Sequence, residues 1–149
     1  QMCIRDRVEP GQSLHIGGPR GSMIVPDIFD SYLLIGDETA LPAIARRLDE
    51  LPANRKVLVV VEVENAQEEQ PLTSAASVEV IWVHRDAPTE DLLKTVEGLS
   101  IPSGELYTWV ATESALSRKV RRVLLDTHNL NEEFVKAVGY WRLDDSPQE

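Results

Sequence analysis

A chain of 149 residues with 42 % hydrophobic residues and a formal net charge of −10 is long enough for one domain with a real core and too short for two comfortable ones. Its composition is globular rather than disordered, and its acidity argues against sequence-independent binding of nucleic acid, which needs a basic surface. No apolar run is long enough for a membrane span and no secretory signal is visible; the single cysteine, Cys3, allows no internal disulfide and fits a reducing compartment.

Residues Gln1–Arg7 show neither helical nor strand periodicity and are expected to be an artefactual or disordered start. Val8–Ser22 is rich in Gly, Pro and Ser. Ser13–Ile16 is a candidate strand leading into Gly17–Gly18–Pro19–Arg20–Gly21–Ser22. A glycine-rich loop with one arginine can approach a phosphate, and it can equally be a plain turn closing a preceding β domain. Met23–Asp30 reads as a linker.

Tyr32–Ile35 is a continuous apolar run, as expected for a strand buried on both faces of a parallel sheet. Gly36–Thr39 reads as a sharp turn made possible by Gly36. A helix over Ala40–Leu51 follows, with Asp37 or Thr39 as cap and Pro42 in the first turn. Its apolar stripe is Leu41, Ile44, Ala45 and Leu48. In open α/β sheets ligands sit at the C-terminal ends of strands, beside helix N-termini, which makes the loop Gly36–Asp37–Glu38–Thr39 the leading candidate site.

A second strand runs from Lys56 or Val57 to about Val63. Glu62 and Glu64 at its end are either acceptors for a ribose diol or simply solvated acids. Ala66–Ser77 is a polar loop too broken for a long crossover helix, with room for one helical turn. Val78–Val83 is a third strand, tipped by His84 and Arg85, a pair suited to phosphate or carboxylate and also common in plain loops. Pro88–Gly98 reads as a helix with Thr89 as a possible cap. Leu106–Ala111 is a fourth strand. Thr112–Glu113–Ser114 reads as a turn into a helix over about Ser114–Thr127, striped by Leu116, Val120, Val123 and Leu124. Arg118, Lys119, Arg121 and Arg122 lie on its other side, either a solvated face or a local positive patch. Glu132–Val138 is a candidate short helix and Gly139–Leu143 a candidate final strand. The whole is an α/β fold: an open parallel sheet of about five strands with flanking helices and right-handed crossovers.

No P-loop, G-x-G-x-x-G fingerprint, G-x-S-x-G elbow or zinc spacing is present; no metal site is expected. The third strand ends in His84–Arg85 rather than a phosphoacceptor Asp, which counts against a receiver domain. Gly36–Thr39 and Ala111–Ser114 are alike: each ends a strand, carries a Glu and a hydroxyl, and starts a helix. They belong on one rim of the sheet. The two Glu side chains would repel phosphate, so capping a helix, meeting ribose or amide groups, or facing a flavin ring suits them better.

The strings GGPRGS (Gly17–Ser22), GDETALPAIARRL (Gly36–Leu48), VEVEN and EEQ (Val61–Gln70), WVHR (Trp82–Arg85), YTWVATES (Tyr107–Ser114) and GYWR (Gly139–Arg142) together resemble the siderophore-interacting proteins, FAD-dependent ferric-siderophore reductases of the ferredoxin-reductase superfamily. The resemblance covers about Val8–Leu143; it departs where Thr112 stands for the usual glycine. It implies a ferredoxin-reductase-like nucleotide-binding domain over 27–143, preceded at 8–26 by the end of a truncated FAD-binding β-barrel plus linker and followed by a polar tail at 144–149. The barrel's Arg-x-Tyr-Ser/Thr type motif is missing from this sequence, so FAD would be bound mainly by the missing N-terminal domain. Hydride would pass from NADPH or NADH to FAD, and electrons then to siderophore-bound Fe(III).

By the same resemblance, Gly36, Asp37, Glu38, Thr39 and Ala40 would line the nicotinamide-nucleotide site and Thr112, Glu113 and Ser114 its second edge. Arg20 and Ser22 would sit near the flavin, and Trp141 would approach it; Glu38 and Trp141 are the catalytic candidates. Arg85, Arg118 or Arg142 would hold a 2′-phosphate or an acidic siderophore. Glu62 and Glu64 lean toward NADH and the family toward NADPH. The expected partner is a ferric siderophore, with no nucleic acid and no membrane insertion, in a cytoplasmic monomer. Two other readings stay open: a non-catalytic nucleotide-binding fragment, inactive by itself, and a related flavin reductase with another acceptor.

Overall fold

The computed structural model describes Ser13, Val25, residues 28–87, Thr89 and residues 91–143. The strands are β1 (Ser31–Asp37), β2 (Lys56–Val63), β3 (Ser77–His84), β4 (Leu106–Glu113) and β5 (Val135–Trp141). The helices are α1 (Leu41–Glu50), α2 (Leu92–Glu97) and α3 (Ser114–Asp126), joined by 3-10 turns at Glu38–Ala40, Ala66–Glu68 and Glu132–Phe134. All neighbouring strands pair in parallel, in the order β3-β2-β1-β4-β5. The order reverses between β1 and β4, because the chain adds strands on one side of β1 and then crosses to the other.

Every residue of β1 is buried, which explains its unbroken apolar run. Side chains alternate between two cores, as the two-residue repeat of a strand requires. Tyr32 and Leu34 join Val57, Val59, Val61 and Tyr107 beneath Leu41, Ile44 and Leu48 of α1. Leu33 and Ile35 join Leu58, Val60 and Val110 against Leu92 and Val96 of α2 and Val120 and Leu124 of α3. Each such fully buried aliphatic side chain contributes roughly 1.5–3 kcal/mol by area.

The structure moves several expected boundaries. Gly36 and Asp37 continue β1 rather than starting a turn. Gly36 is needed there for close approach: a Cβ would stand 2.5 Å from the Ala40 Cβ and 3.3 Å from the Ala111 carbonyl oxygen. Asp37 then caps the 3-10 turn, while α1 itself follows Ala40 with no side-chain cap from either Asp37 or Thr39. Thr112 and Glu113 are likewise strand residues, not turn residues. The helix expected over Pro88–Gly98 is α2, starting at Leu92 with Asp91 accepting from the Lys94 N–H; Thr89 is not its cap. The candidate helix Glu132–Val138 is only a 3-10 turn, capped by Asn131. From Val135 the chain pairs with β4 instead, Val135 opposite Thr108 and Ala137 opposite Val110, because that pairing buries Val135 and satisfies the edge of β4. The Ala66–Ser77 loop carries one turn of helix, as expected. The strand expected at Ser13–Ile16, and Arg20 and Ser22, lie outside the described residues.

Candidate functional site

The C-terminal ends of β1 and β4 lie side by side, with Gly36 opposite Ala111. At this reversal point the connections of the two central strands leave toward opposite faces, so a crevice opens over the strand tips. Two residues of minimal bulk form its floor. The 3-10 turn leading into α1 rises on one side and the first turn of α3 on the other.

Asp37, the last residue of β1, is 2 % exposed. Its Oδ1 accepts from the Thr39 N–H at 3.0 Å and from the Thr39 hydroxyl. Its Oδ2 accepts from the indole Nε1–H of Trp141 at 2.8 Å. One carboxylate thus caps the turn and ties the end of β5 across the crevice. Trp141 remains 40 % exposed.

Glu113, the last residue of β4, is buried and accepts from the backbone N–H groups of Ala115 (2.6 Å) and Leu116 (2.9 Å). These bonds, that from Leu116 foremost, hold its carboxyl below the usual range. Of the functions considered for the two rim glutamates, helix capping is therefore what Glu113 does. The Thr112 hydroxyl is buried against the Glu113 carbonyl at 3.2 Å. The Ser114 hydroxyl donates to the Trp141 carbonyl at 2.7 Å. Gly139 permits this docking, since a Cβ there would stand 2.3 Å from the Ser114 Oγ.

Glu38 behaves differently. Its carboxylate takes both terminal nitrogens of Arg85, Nη1 at 2.9 Å and Nη2 in a short contact. Arg85 also donates through Nε to Glu64 at 3.2 Å and through Nη1 to Glu62 at 3.4 Å. One guanidinium thus neutralises part of a three-carboxylate cluster at the tips of β1, β2 and β3. The hydrogen bonds from Arg85 lower the pKa of Glu38. Burial raises that of Glu62, against the pull of Arg85. The Arg85 pKa is raised further above its already high value, chiefly by its hydrogen bonds to Glu38. His84 Nε2 lies 2.8 Å from Glu69 Oε1.

The structure therefore gathers Gly36, Asp37, Glu38, Thr39, Ala40, Glu62, Arg85, Thr112, Glu113, Ser114 and Trp141 around one crevice and its flank. Arg118 and Arg142 are exposed and make no side-chain hydrogen bond among those described. The Arg85 cluster was missed from the sequence, although its signal was present: one strand ends in Glu-x-Glu and another in His-Arg, and these strands are neighbours. The Asp37–Trp141 bond had no such signal. Chemically the rim offers carboxylates that accept from hydroxyl and amide groups, more than cations that hold phosphate. Among the described residues, no group of three or more His, Cys, Asp or Glu is placed to hold a metal ion.

The family model described as siderophore-interacting protein matches residues 29–144. The chain is 25 % identical over 138 residues to the NADPH-dependent ferric-chelate reductase of Escherichia coli K12, covering 91 % of this chain and 53 % of that protein. It is 25 % identical over 140 residues to the ferric vibriobactin reductase ViuB of Vibrio cholerae, covering 91 % and 52 %. A siderophore utilization protein from T. fusca superposes with a TM-score of 0.75 at 37 % identity, over 89 % of this chain and 52 % of that one. The chain thus spans about half the length of the relatives it matches.

Proposed function

The chain belongs to the siderophore-interacting protein family, and from that premise we propose that it is the NAD(P)H-binding domain of a flavin-dependent ferric-siderophore reductase. The observation that carries the reading is the pairing of Gly36 with Ala111 at the point where the strand order reverses. Dinucleotides lie across the point where a sheet of this order reverses.

The residues present fit such a ligand. The first-turn N–H groups of Thr39, Ala115 and Leu116 are already taken by Asp37 and Glu113, so the rim would meet the hydroxyl and amide groups of a nucleotide rather than cradle its phosphates. Glu62, at the tip of β2, would accept from ribose hydroxyls, with the Thr39 and Ser114 hydroxyls at the two edges. Arg85 would offset phosphate charge. Trp141, held by Asp37, would stand at the flavin end of the crevice.

A reduced nicotinamide held here would supply hydride to a flavin and so electrons for siderophore-bound Fe(III); Fe(II) is the poorer partner for hard oxygen ligands, so such a reduction would favour release of iron. This chain's part is to hold the nucleotide, orient it and keep water from the crevice. FAD itself would be held mainly by a β-barrel domain preceding this one. Among the described residues no helix is long and apolar enough to cross a membrane. The reading implies a monomeric enzyme of the cytoplasm.

Titration of the chain with NADPH and with NADH, followed by tryptophan fluorescence, tests the proposal. Saturable quenching by either supports it, and the tighter ligand gives the preferred cofactor. A cooperatively folded chain that binds neither overturns it.

A further inference from the structure

At the tip of β2, Glu62 stands opposite Asp37 of β1 on one side and Val83 of β3 on the other. The chain leaving β3 stays paired to that tip: the Arg85 N–H donates to the Val63 carbonyl at 3.0 Å and the Asp86 N–H to the Glu64 carbonyl at 3.1 Å. Arg85 is thereby fixed beside Glu62 and Glu64. In dinucleotide folds an acid at this place meets the adenosine ribose, and a nearby arginine accommodates a 2′-phosphate where the ligand carries one. Here both residue types are present, so their contacts decide which ligand fits.

Every nitrogen of the Arg85 guanidinium is engaged. Nη1 and Nη2 both donate to Glu38, the two-pronged grip that is the strongest a carboxylate offers. Nε donates to Glu64 and Nη1 also to Glu62. The group is open to a ligand, since the side chains of Arg85 and Glu38 are 31 % and 48 % exposed. Three carboxylates against one guanidinium leave it acidic. Burial already disfavours the charged form of Glu62 in spite of Arg85, so positive charge is scarce here before any ligand arrives. His84, next in the chain, lies against Glu69.

NADPH differs from NADH by one phosphate on the ribose 2′ oxygen, which carries about −1.5 to −2 charge at pH 7. That group would enter among the three carboxylates and gain Arg85 only by breaking its paired bonds to Glu38. A bare 2′-hydroxyl instead donates to a carboxylate and disturbs nothing. We propose, on the reading of the crevice as a dinucleotide site, that it selects NADH over NADPH and that Glu38 sets the choice by holding Arg85 away from a 2′-phosphate. Glu62 is the acceptor for the ribose, and Glu38 acts through Arg85 as a positioning residue.

The test is the ratio of the NADPH and NADH dissociation constants, read by tryptophan fluorescence on the chain and on Glu38→Gln. NADH should bind at least tenfold more tightly in about 20 mM salt, and the ratio should narrow in about 0.5 M salt, where charge repulsion between exposed groups is screened. Glu38→Gln should tighten NADPH and lower the ratio at least threefold. Glu50→Gln, which removes an acid of α1 outside the crevice, should leave the ratio unchanged. NADPH binding as tightly as NADH overturns this inference and leaves the dinucleotide domain standing, whereas a folded chain that binds neither overturns both. A preference for NADH that ignores salt, or that Glu38→Gln leaves intact, also overturns it. Should Glu38→Gln fail to fold, the ratio and its salt dependence on the unchanged chain decide.

Discussion

The indole N–H of Trp141 donates to the Asp37 carboxylate across 104 residues of sequence, joining the last strand to the first at the mouth of the crevice. The same carboxylate caps the turn that begins at Glu38. Asp37→Ala loses both and should cost about 2 kcal/mol, roughly 1 from the cap and 1 from the indole bond. Trp141→Phe should lose only the second, about 1 kcal/mol. Urea denaturation of the two single variants and the double variant checks this: a coupling near 1 kcal/mol is expected, and strict additivity would mean that the bond contributes nothing.

Gly36 faces Ala40 too closely for any side chain. Gly36→Ala should destabilise by about 1–3 kcal/mol through overpacking. Adding Ala40→Gly removes the colliding methyl, and at an N-cap position glycine is better tolerated than alanine. The double variant should therefore melt above the single one, an order that a thermal scan reads directly.

Arg85 sits among Glu38, Glu62 and Glu64. Because Arg85 lowers the pKa of Glu38, that pair adds stability above pH 4.5 which is lost as pH falls through the lowered value. Both partners are partly exposed, so its worth is below about 1 kcal/mol. Glu62 has the opposite sign: its raised pKa is a cost that appears as pH rises past 4.5. Arg85→Met removes the first and deepens the second. It should be the less stable protein at pH 7 by about 1 kcal/mol, and the gap should narrow only below pH 4.5, closing as pH falls through the lowered value of Glu38. Melting curves from pH 7 downward measure it.

Glu113 is a capping carboxylate whose pKa is lowered by the N–H groups it meets. It stabilises α3 fully above pH 4.5 and loses that contribution as pH falls through its lowered value. Glu113→Ala should lower the melting temperature at pH 7 and flatten its dependence on pH below 4.5. Glu113→Gln should lie between, since an amide oxygen still accepts but carries no charge toward the helix N-terminus. Unchanged acid sensitivity in Glu113→Ala would rule this role out.

Much of the fold was legible because β1, β2 and β4 are apolar on both faces and each is followed by recognisable turn or cap chemistry. Their adjacency at the reversal point placed Gly36 and Ala111 on one rim before any coordinates. The misread segment, Glu132–Val138, has no breaker and carries helix-compatible residues; only the open edge of β4, invisible locally, turns it into a strand. Asp37 and Thr39 were both plausible caps, and the choice depended on β1 continuing two residues further. Arg85 was singled out as a cation, but its partners come from two other strands whose register decides which acids it meets. Local pattern thus reached the elements and the rim, while pairings between distant strand tips needed the assembled sheet.

The sheet is not uniformly sealed. β1 is buried throughout, whereas β3, which closes one edge, is exposed or half-buried everywhere except Val83. The link from β2 to β3 brings only a single 3-10 turn as cover. Amide protons should therefore exchange with solvent in a gradient, slowest at Leu34 and Ile35 and faster toward the two edge strands, β3 and β5, because local opening is easiest where few apolar contacts must be broken. Beneath the crevice lies a stiff spine, and beneath the Arg85 cluster a softer margin. Arg85, which follows β3, can re-aim at little cost while Gly36 and Ala111 stay fixed.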